Sequence, residues 1–160
     1  MDFWIQSIDK DDECLFSNFP RVADWTKKEV LQYLILKTSF GWGVFSKKTN
    51  EMVGLILIAH VLDAIEILTL ETHVNVRRKG VGTLLLNHVF NYAKESDVQQ
   101  IFLEVKETNL SAQSLYKTYG FEPYGIRKKY YTLTEGAHVD AILYRMILND
   151  QEKKNKIRLD

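Results

Sequence analysis

Hydrophobic positions along the chain switch between a two-residue repeat and a helical repeat, and these switches predict the order of the elements. The chain opens on a strand from Phe3 to Ile8, and the acidic run DKDDE then leads into a short helix. In DWTKKEVLQYLILK the apolar residues recur at helical spacing, and Thr26 with Glu29 three residues later forms a capping box. A helix is therefore predicted to begin after Thr26.

Three strand-like runs follow this helix in close succession. The runs GWGVFS and MVGLILIAHVL are separated by the polar turn KKTNE, and the dipeptide LD precedes the third run, AIEILTLET. Short polar links between such runs are typical of antiparallel neighbours. We predict three antiparallel strands, the last of which ends near Thr72.

Helices and strands alternate in the rest of the chain. The patterns predict a helix from Gly82 to about Lys94, a strand IFLEVK, a short helix from Leu110 to about Thr118 stopped at Gly120, and two last strands around Tyr124 to Tyr130 and Val139 to Leu148. The order β, α, α, three β, α, β, α, β, β indicates an α/β (α+β) protein. Residues 1–150 are expected to form a single domain, and residues 151–160 a charged C-terminal tail.

Composition narrows the class of protein. A chain of 160 residues that is 46% hydrophobic can bury one substantial core, and its 21 basic residues balance its 21 acidic ones. A formal net charge of zero argues against a nucleic-acid partner. The single cysteine, Cys14, cannot form an internal disulfide, and no apolar run reaches the length of a membrane span, so we expect a cytoplasmic protein without a membrane partner. The histidines lack ligand spacing, and we expect no metal site: His60, His73, His88 and His138.

The stretch VRRKGVGTLLLNHVF, residues 76–90, joins positive charge and two glycines to the start of a helix. The N–H groups at a helix start have no intrahelical acceptor, and the helix dipole adds positive potential there. Gly80 and Gly82 let an anion approach the main chain, and the preceding basic triplet adds countercharge. The stretch lacks the third glycine of G-x-G-x-x-G and does not fit G-x-x-x-x-G-K-[ST]. It has the spacing R-x-x-G-x-G, and its amides, glycines and positive charge together suit a pyrophosphate.

The surrounding motifs give the hexapeptide RRKGVG a context. It is followed by LEVKETNLSAQSLYKTYGF, by IRKKYY and by DAILYRM, and NFP followed by Trp25 and Thr26 precedes it. In this order and spacing the chain, from about Glu66 to Leu148, resembles the GCN5-related N-acetyltransferases (GNAT), and among them it is most similar to the bacterial ribosomal-protein-alanine N-acetyltransferases. The resemblance implies a mixed, mostly antiparallel sheet flanked by helices, whose fourth and fifth strands splay apart around acetyl-coenzyme A.

The resemblance also implies how the cofactor binds. The pyrophosphate is expected on Arg77, Arg78, Lys79, Gly80, Val81, Gly82 and Thr83. The pantetheine arm is expected to pair like an extra strand with Leu70, Glu71 and Thr72. Asn109 lies where the family uses an asparagine to hydrogen-bond the pantetheine, and this role is compatible with an N-cap.

Acetyl transfer to an amine needs a neutral amine, donors for an oxyanion and a proton for the leaving thiolate. Glu104 lies inside IFLEVK, where a glutamate costs free energy unless it is solvated or paired. The resemblance makes Glu104 the general base, acting through water, and Tyr116 the general acid, with a backbone amide near Thr72 as oxyanion donor. Glu66, eleven positions before Arg77, is the alternative base, since some histone-type members keep their catalytic glutamate there. The simpler interpretations are that Glu104 faces solvent beside Lys106 and that Tyr116 only packs.

The prediction of the acceptor depends on fewer residues. KKYY resembles the segment in which protein N-terminal acetyltransferases place tyrosines against the substrate, which makes Tyr130 and Tyr131 substrate-binding residues. We predict transfer to the α-amine of a protein N-terminus, a ribosomal protein by implication. The alternatives are acetylation of a lysine or small amine, and a catalytically silent acyl-coenzyme A sensor. Thr72, His73 and Val74 replace the usual valine, polar residue and proline, which leaves the acyl preference open. The aromatic residues Trp25, Phe40 and Trp42 either line a peptide groove or fill the core.

Overall fold

The computed structural model describes residues 2–18, 21–22, 25–133 and 136–148. Within them a sheet of seven strands forms, and three α-helices connect or cover its strands. The elements in chain order are β1 Phe3–Ile8, α1 Lys27–Leu34, β2 Ser39–Ser46, β3 Met52–Val61, β4 Ala64–Thr72, α2 Val81–Glu95, β5 Gln100–Lys106, α3 Leu110–Thr118, β6 Glu122–Thr132 and β7 His138–Ile147. Two 3₁₀ helices, Glu13–Asn18 and Val74–Val76, and a short ribbon pairing Arg21–Val22 with Trp25–Thr26 complete the described residues.

The predicted order of the main elements is confirmed, and so are their approximate boundaries. The capping box that starts α1 is present: the Thr26 amide donates to Glu29 Oε2 at 2.6 Å, and the Glu29 amide donates to Thr26 Oγ1 at 3.3 Å. The predicted tail, residues 151–160, lies outside the described residues, and the single domain over residues 1–150 stays a prediction. None of the helices in the described part of the chain is long and apolar enough to cross a membrane.

The sheet has the spatial order β1-β2-β3-β4-β5-β7-β6. Neighbouring strands run antiparallel except β4 and β5, which are parallel because α2 carries the chain back between them. The last strand, β7, is inserted between β5 and β6. The α2 crossover therefore places the ends of β4 and β5 at the same edge of the sheet.

The pairing between β4 and β5 covers only their first residues, Ala64 to Ile67 against Gln100 to Leu103. The register between β3 and β4 shifts at this level and leaves Leu68 as a bulge. A bulge bends the strand that carries it. Beyond it, β4 continues along β3 to Thr72 while β5 continues along β7 to Lys106. The two strands therefore diverge, and the predicted splay is confirmed.

Strand alternation builds an apolar core on each face of the sheet. On one face α2 packs on a cluster that includes Trp42, Ile56, Ile65, Leu85, Ile101 and Tyr144. On the other face Val30 of α1 packs on a smaller cluster that includes Ile8, Phe45, Leu55 and Leu57. Full burial of each aliphatic side chain contributes roughly 1.5–3 kcal/mol. The rings of Phe40 and Trp42 lie 5.2 and 5.4 Å from the Tyr92 ring against the α2 core, so these two aromatic residues fill the core.

Candidate active site

The open edge of β4 lies in the gap between the diverging strands. Leu70, Glu71 and Thr72 pair with Ile56, Leu55 and Gly54 of β3 on one side. Their other side lies beyond the last pair with β5. A strand bordered on one side only keeps half of its main-chain N–H and C=O groups for another partner. The three residues predicted to bind the pantetheine arm are therefore placed on a strand edge of the required kind.

The start of α2 borders the same gap. A Cβ built on Gly82 would lie 3.3 Å from Leu115, 3.8 Å from Leu70 and 4.0 Å from Thr72. Helix α2, strand β4 and helix α3 therefore meet at this glycine, and any side chain at position 82 would narrow the junction.

The first turn of α2 offers free main-chain donors. Gly80 is the N-cap residue, and within the described residues no side chain caps the start of α2. The amides of Val81, Gly82 and Thr83 have no acceptor inside the helix. Gly80 has a φ of 83°, a conformation that favours glycine, although the described residues leave open space where its Cβ would be. The backbone conformation that orients these amides thus favours glycine at position 80.

The residues around this turn are of two kinds, exposed basic residues before it and a buried valine within it. Arg77, Arg78 and Lys79 are exposed and directly precede the N-cap residue Gly80, so three cationic residues lead into the helix. Val81 is buried and packs towards Gly54 of β3, where a Cβ would lie 2.5 Å from the valine side chain. Gly54 was not singled out from the sequence, although a glycine inside a strand signals close approach of another element. Because Gly54 lets Val81 sit deep, the helix start lies close to the sheet.

Tyr116 on α3 is buried, with 6% of its surface exposed. Its ring lies 5.7 Å from that of Phe121 and 6.5 Å from that of Tyr144. Burial raises the pKa of the Tyr116 phenol, and the nearby Glu71 carboxylate and Tyr131 phenol raise that pKa further. The Tyr116 hydroxyl therefore keeps its proton at physiological pH. Residues from α3, β4 and β6 converge at this point.

Glu104 on β5 is only 16% exposed, and its Oε1 lies 3.1 Å from a guanidinium nitrogen of Arg127. This pairing does not agree with a glutamate that simply faces solvent beside Lys106. Burial raises the pKa of Glu104 and the Glu66 carboxylate raises that pKa too, whereas Arg127 and a hydrogen bond from Tyr130 lower it. The pKa of Glu104 is thus set by two raising and two lowering interactions.

Glu66 and Glu104 line the same open pocket, which has a volume of about 370 Å³. Glu66 is exposed on β4, whereas Glu104 is largely buried. The rest of the lining is mostly apolar or aromatic: Ala59, Val61, Ala64, Ile65, Phe102, Leu103 and Tyr124, together with Arg127. The structure therefore brings both candidate bases to one pocket. The two glutamates differ in burial.

Tyr130 and Tyr131 form an edge-to-face pair, with ring centroids 5.0 Å apart and planes at 83°. The Arg127 guanidinium lies 5.2 Å from the centroid of the Tyr130 ring, and the Lys106 ammonium lies 5.0 Å from that of Tyr131. Tyr130 hydrogen-bonds Glu104, and the Tyr131 phenol is near enough to raise the pKa of Tyr116. The sequence did not assign a role to Arg127, which is the cation that links Tyr130 to Glu104.

Asn109 is the N-cap of α3, since its Oδ1 accepts from the Ala112 amide at 3.1 Å. The N-cap prediction is confirmed, and the contact with pantetheine stays a prediction. Within the described ranges, no group of three or more His, Cys, Asp or Glu side chains is arranged to hold a metal ion.

Comparison with known proteins shows which family the sequence matches. The model of the acetyltransferase (GNAT) family matches residues 5–121. A putative ribosomal protein bS18-alanine N-acetyltransferase of Bacillus subtilis is 30% identical over 128 residues, which are 80% of this chain and 83% of that protein.

Two solved structures share the fold. The ribosomal-protein-S18-alanine N-acetyltransferase of Escherichia coli superposes with a TM-score of 0.80 at 22% identity, over 92% of this chain and 94% of that one. Arabidopsis thaliana NAA60 in complex with acetyl-CoA superposes with a TM-score of 0.78 at 18% identity, over 92% of this chain and 99% of that one. At these identities the likeness bears on the fold, and the predicted fold class is confirmed.

Proposed function

The chain belongs to the acetyltransferase (GNAT) family, and on this premise we propose that it transfers the acetyl group of acetyl-coenzyme A to the N-terminal α-amine of a protein. A ribosomal protein is the proposed acceptor, because the Bacillus subtilis relative is named for acetylation of the alanine of ribosomal protein bS18. The observation that carries the proposal is the gap between β4 and β5, whose edge meets the uncapped start of α2.

The residues around this gap fit an acyl-coenzyme A. The free amides of Val81, Gly82 and Thr83 and the αL turn at Gly80 provide a cradle for a pyrophosphate, with Arg77, Arg78 and Lys79 as countercharge. The open edge at Leu70, Glu71 and Thr72 can pair with the amide groups of a pantetheine arm, and Asn109 lies at the start of the helix across the gap. When bound, acetyl-coenzyme A supplies an activated thioester and a thiol leaving group.

Glu104 is the proposed general base. Its pKa, raised by burial, brings the carboxylate closer to the pKa of the amine whose proton it takes through water. Arg127 opposes this rise and so favours the ionised form of Glu104, which is the form that accepts the proton. An α-amine has a pKa near 8 and is partly neutral at cellular pH, so a carboxylate base is sufficient for it.

Tyr116 is the proposed general acid. Its buried phenol stays protonated and therefore carries the proton that a departing thiolate requires. A thiolate released into the same buried surroundings has a raised pKa as well, because burial disfavours its charged form. Burial thus raises both pKa values, which keeps the pKa of the thiol closer to that of the Tyr116 phenol than if the phenol alone were buried. The Thr72 amide on the open edge of β4 is the proposed oxyanion donor.

Tyr130 and Tyr131 are the proposed contacts for the first residues of the acceptor. The two rings connect the surroundings of Glu104 with those of Tyr116, so a peptide N-terminus held against them lies near both groups. Aromatic side chains with hydroxyl groups supply contact area and hydrogen bonds at low cost in conformational entropy.

The test is release of free thiol from acetyl-coenzyme A with a matched set of acceptors. We expect release with a peptide that begins with alanine, whether or not its lysines are blocked, and no release when its N-terminus is blocked. Mass spectrometry of the product locates the acetyl group. Release with lysine side chains or polyamines alone would contradict the acceptor class. Stabilisation by the coenzyme without thiol release from any acceptor would indicate a silent sensor.

A further inference from the structure

Strand β6 carries a bulge over residues 128–130, which includes the first tyrosine of the pair. Arg127 pairs with Ala141 and Tyr131 pairs with Val139, so three residues of β6 stand opposite Asp140 alone. Lys129 at the centre of the bulge has a φ of 54°, a left-handed conformation that side chains with a Cβ disfavour. Such a backbone persists only where its surroundings hold it.

The Asp140 carboxylate is the group that holds this bulge. Its Oδ1 accepts from the Lys129 amide at 2.9 Å, and its Oδ2 pairs with the Lys128 ammonium. Asp140 is itself fixed to the end of β5, because the Glu107 amide donates to the Asp140 carbonyl at 3.0 Å and the Asp140 amide donates to Glu107 Oε1 at 3.2 Å. The bulge is therefore tied to the strand that carries Glu104.

The bulge determines where the two tyrosine rings lie. Consecutive side chains in a regular strand point to opposite faces of the sheet. The rings of Tyr130 and Tyr131 instead meet edge to face with centroids 5.0 Å apart. One ring reaches the Arg127 guanidinium and the other the Lys106 ammonium. A regular strand at Lys129 would separate them.

We propose that Asp140 is a positioning residue that sets the geometry of the acceptor-facing tyrosines by holding the Lys129 amide, with its ion pair to Lys128 of little importance. The acceptor part of this inference rests on the proposed function. The alternative explanation, that Asp140 only forms a surface ion pair, predicts that loss of Lys128 and loss of Asp140 have equal effects.

Three variants separate the two explanations. Asp140→Ala removes both contacts, Asp140→Asn keeps an oxygen acceptor for the Lys129 amide, and Lys128→Gln removes the ion pair alone. With a peptide that begins with alanine, we expect Asp140→Ala to raise the acceptor KM by roughly tenfold or more, since a misplaced contact of about 1 Å can cost about a hundredfold. The KM for acetyl-coenzyme A should not change. In Lys128→Gln both KM values should stay within about twofold, because the pair is exposed on the lysine side.

A second measurement does not depend on acetylation. Nuclear magnetic resonance follows hydrogen exchange at the Lys129 amide and contacts between the two tyrosine rings. Asp140→Asn and Lys128→Gln should keep the protection and the contacts, whereas Asp140→Ala should lose both. If Asp140→Ala does not fold, loss of the ring contacts in either remaining variant overturns the inference.

Equal rises in acceptor KM for Lys128→Gln and Asp140→Ala also overturn it, as do unchanged ring contacts in a folded Asp140→Ala. If no peptide is acetylated by the unaltered chain, the proposed function fails, and the exchange and ring contacts still decide the role of Asp140.

Discussion

The guanidinium of Arg127 lies 3.1 Å from the carboxylate of Glu104, although the two residues belong to strands that are not neighbours. Strand β7 lies between them, and the residue of β7 opposite Arg127 is Ala141, which has only a methyl side chain. The pair connects the proposed base to the segment that carries the proposed acceptor-binding tyrosines. It gives Glu104 a charged partner inside an otherwise largely apolar pocket.

Replacing Arg127 with methionine should move the acidic limb of the pH–rate profile to higher pH. Burial and Glu66 raise the pKa of Glu104, and Arg127 lowers it, so removing the arginine leaves the raising influences less opposed. A base is active when deprotonated, and its activity is lost as the pH falls through its pKa. Profiles of kcat/KM and the carboxyl resonance of Glu104 both report this pKa. Lys128→Met is the control, because it also removes a cation from β6 but one that pairs with Asp140 instead of Glu104.

The acceptor amine also titrates, and for this reason the carboxyl resonance decides the Arg127 prediction. The groups that face Glu104 are Glu66 from β4 and Arg127 and Tyr130 from β6, with Lys106 on its own strand. An unchanged or lower pKa of Glu104 in Arg127→Met would show that the ion pair does not support the ionised base.

Glu104→Gln and Glu66→Gln should differ strongly in rate. If Glu104 is the base, its loss lowers kcat/KM by about 10²–10⁴-fold, the usual contribution of general base catalysis. Glu66→Gln should leave the reaction fast and move the acidic limb to lower pH, because the Glu66 carboxylate raises the pKa of Glu104. The larger loss in Glu66→Gln would assign the base to Glu66 instead. Initial rates with one peptide at several pH values distinguish the two results.

Local patterns in the sequence were sufficient for the order of the elements, and the gap between β4 and β5 was expected from the family resemblance. The capping box, the glycines at the start of α2 and the N-cap Asn109 are each set by residues a few positions apart. The Arg127–Glu104 pair and the support of Lys129 by Asp140 were not predicted. Both depend on the insertion of β7 between β5 and β6 and on a bulge, and no local repeat in the sequence specifies these features.

Tyr116→Phe should lower kcat while coenzyme binding and folding stay intact. Phenylalanine fills the same space between Phe121 and Tyr144 and removes only the proton donor, so a loss of about 10²-fold or more is expected. Tyr119→Phe is the control, since the Tyr119 hydroxyl donates to Asn87 Oδ1 at 2.8 Å and to the Thr83 carbonyl at 3.2 Å, both on α2, and the Thr83 amide is left in place. That control should lose about 1 kcal/mol of stability and keep its rate. Full activity in Tyr116→Phe would remove the tyrosine from the reaction.

Gly80→Ala should weaken coenzyme binding without any steric clash. The described residues leave open space for a Cβ at position 80, but the φ of 83° is strained for alanine by about 1–2 kcal/mol. The variant relieves this strain by turning the peptide groups that lead into α2, and the amides of Val81 and Gly82 then no longer converge. Calorimetry with coenzyme A should show a higher Kd, and thermal unfolding should show a lower Tm.

Gly136→Ala separates strain from binding, because Gly136, in the link between β6 and β7, has a φ of 78° and its Cβ position is likewise open among the described residues. The two alanine variants carry the same backbone cost, so both should lose a similar amount of stability. Only Gly80→Ala should lose affinity for coenzyme A, since position 136 does not adjoin the start of α2 in sequence. Equal Kd values for the two variants would mean that the turn at Gly80 does not hold the pyrophosphate, and the anion cradle at α2 would have to be abandoned.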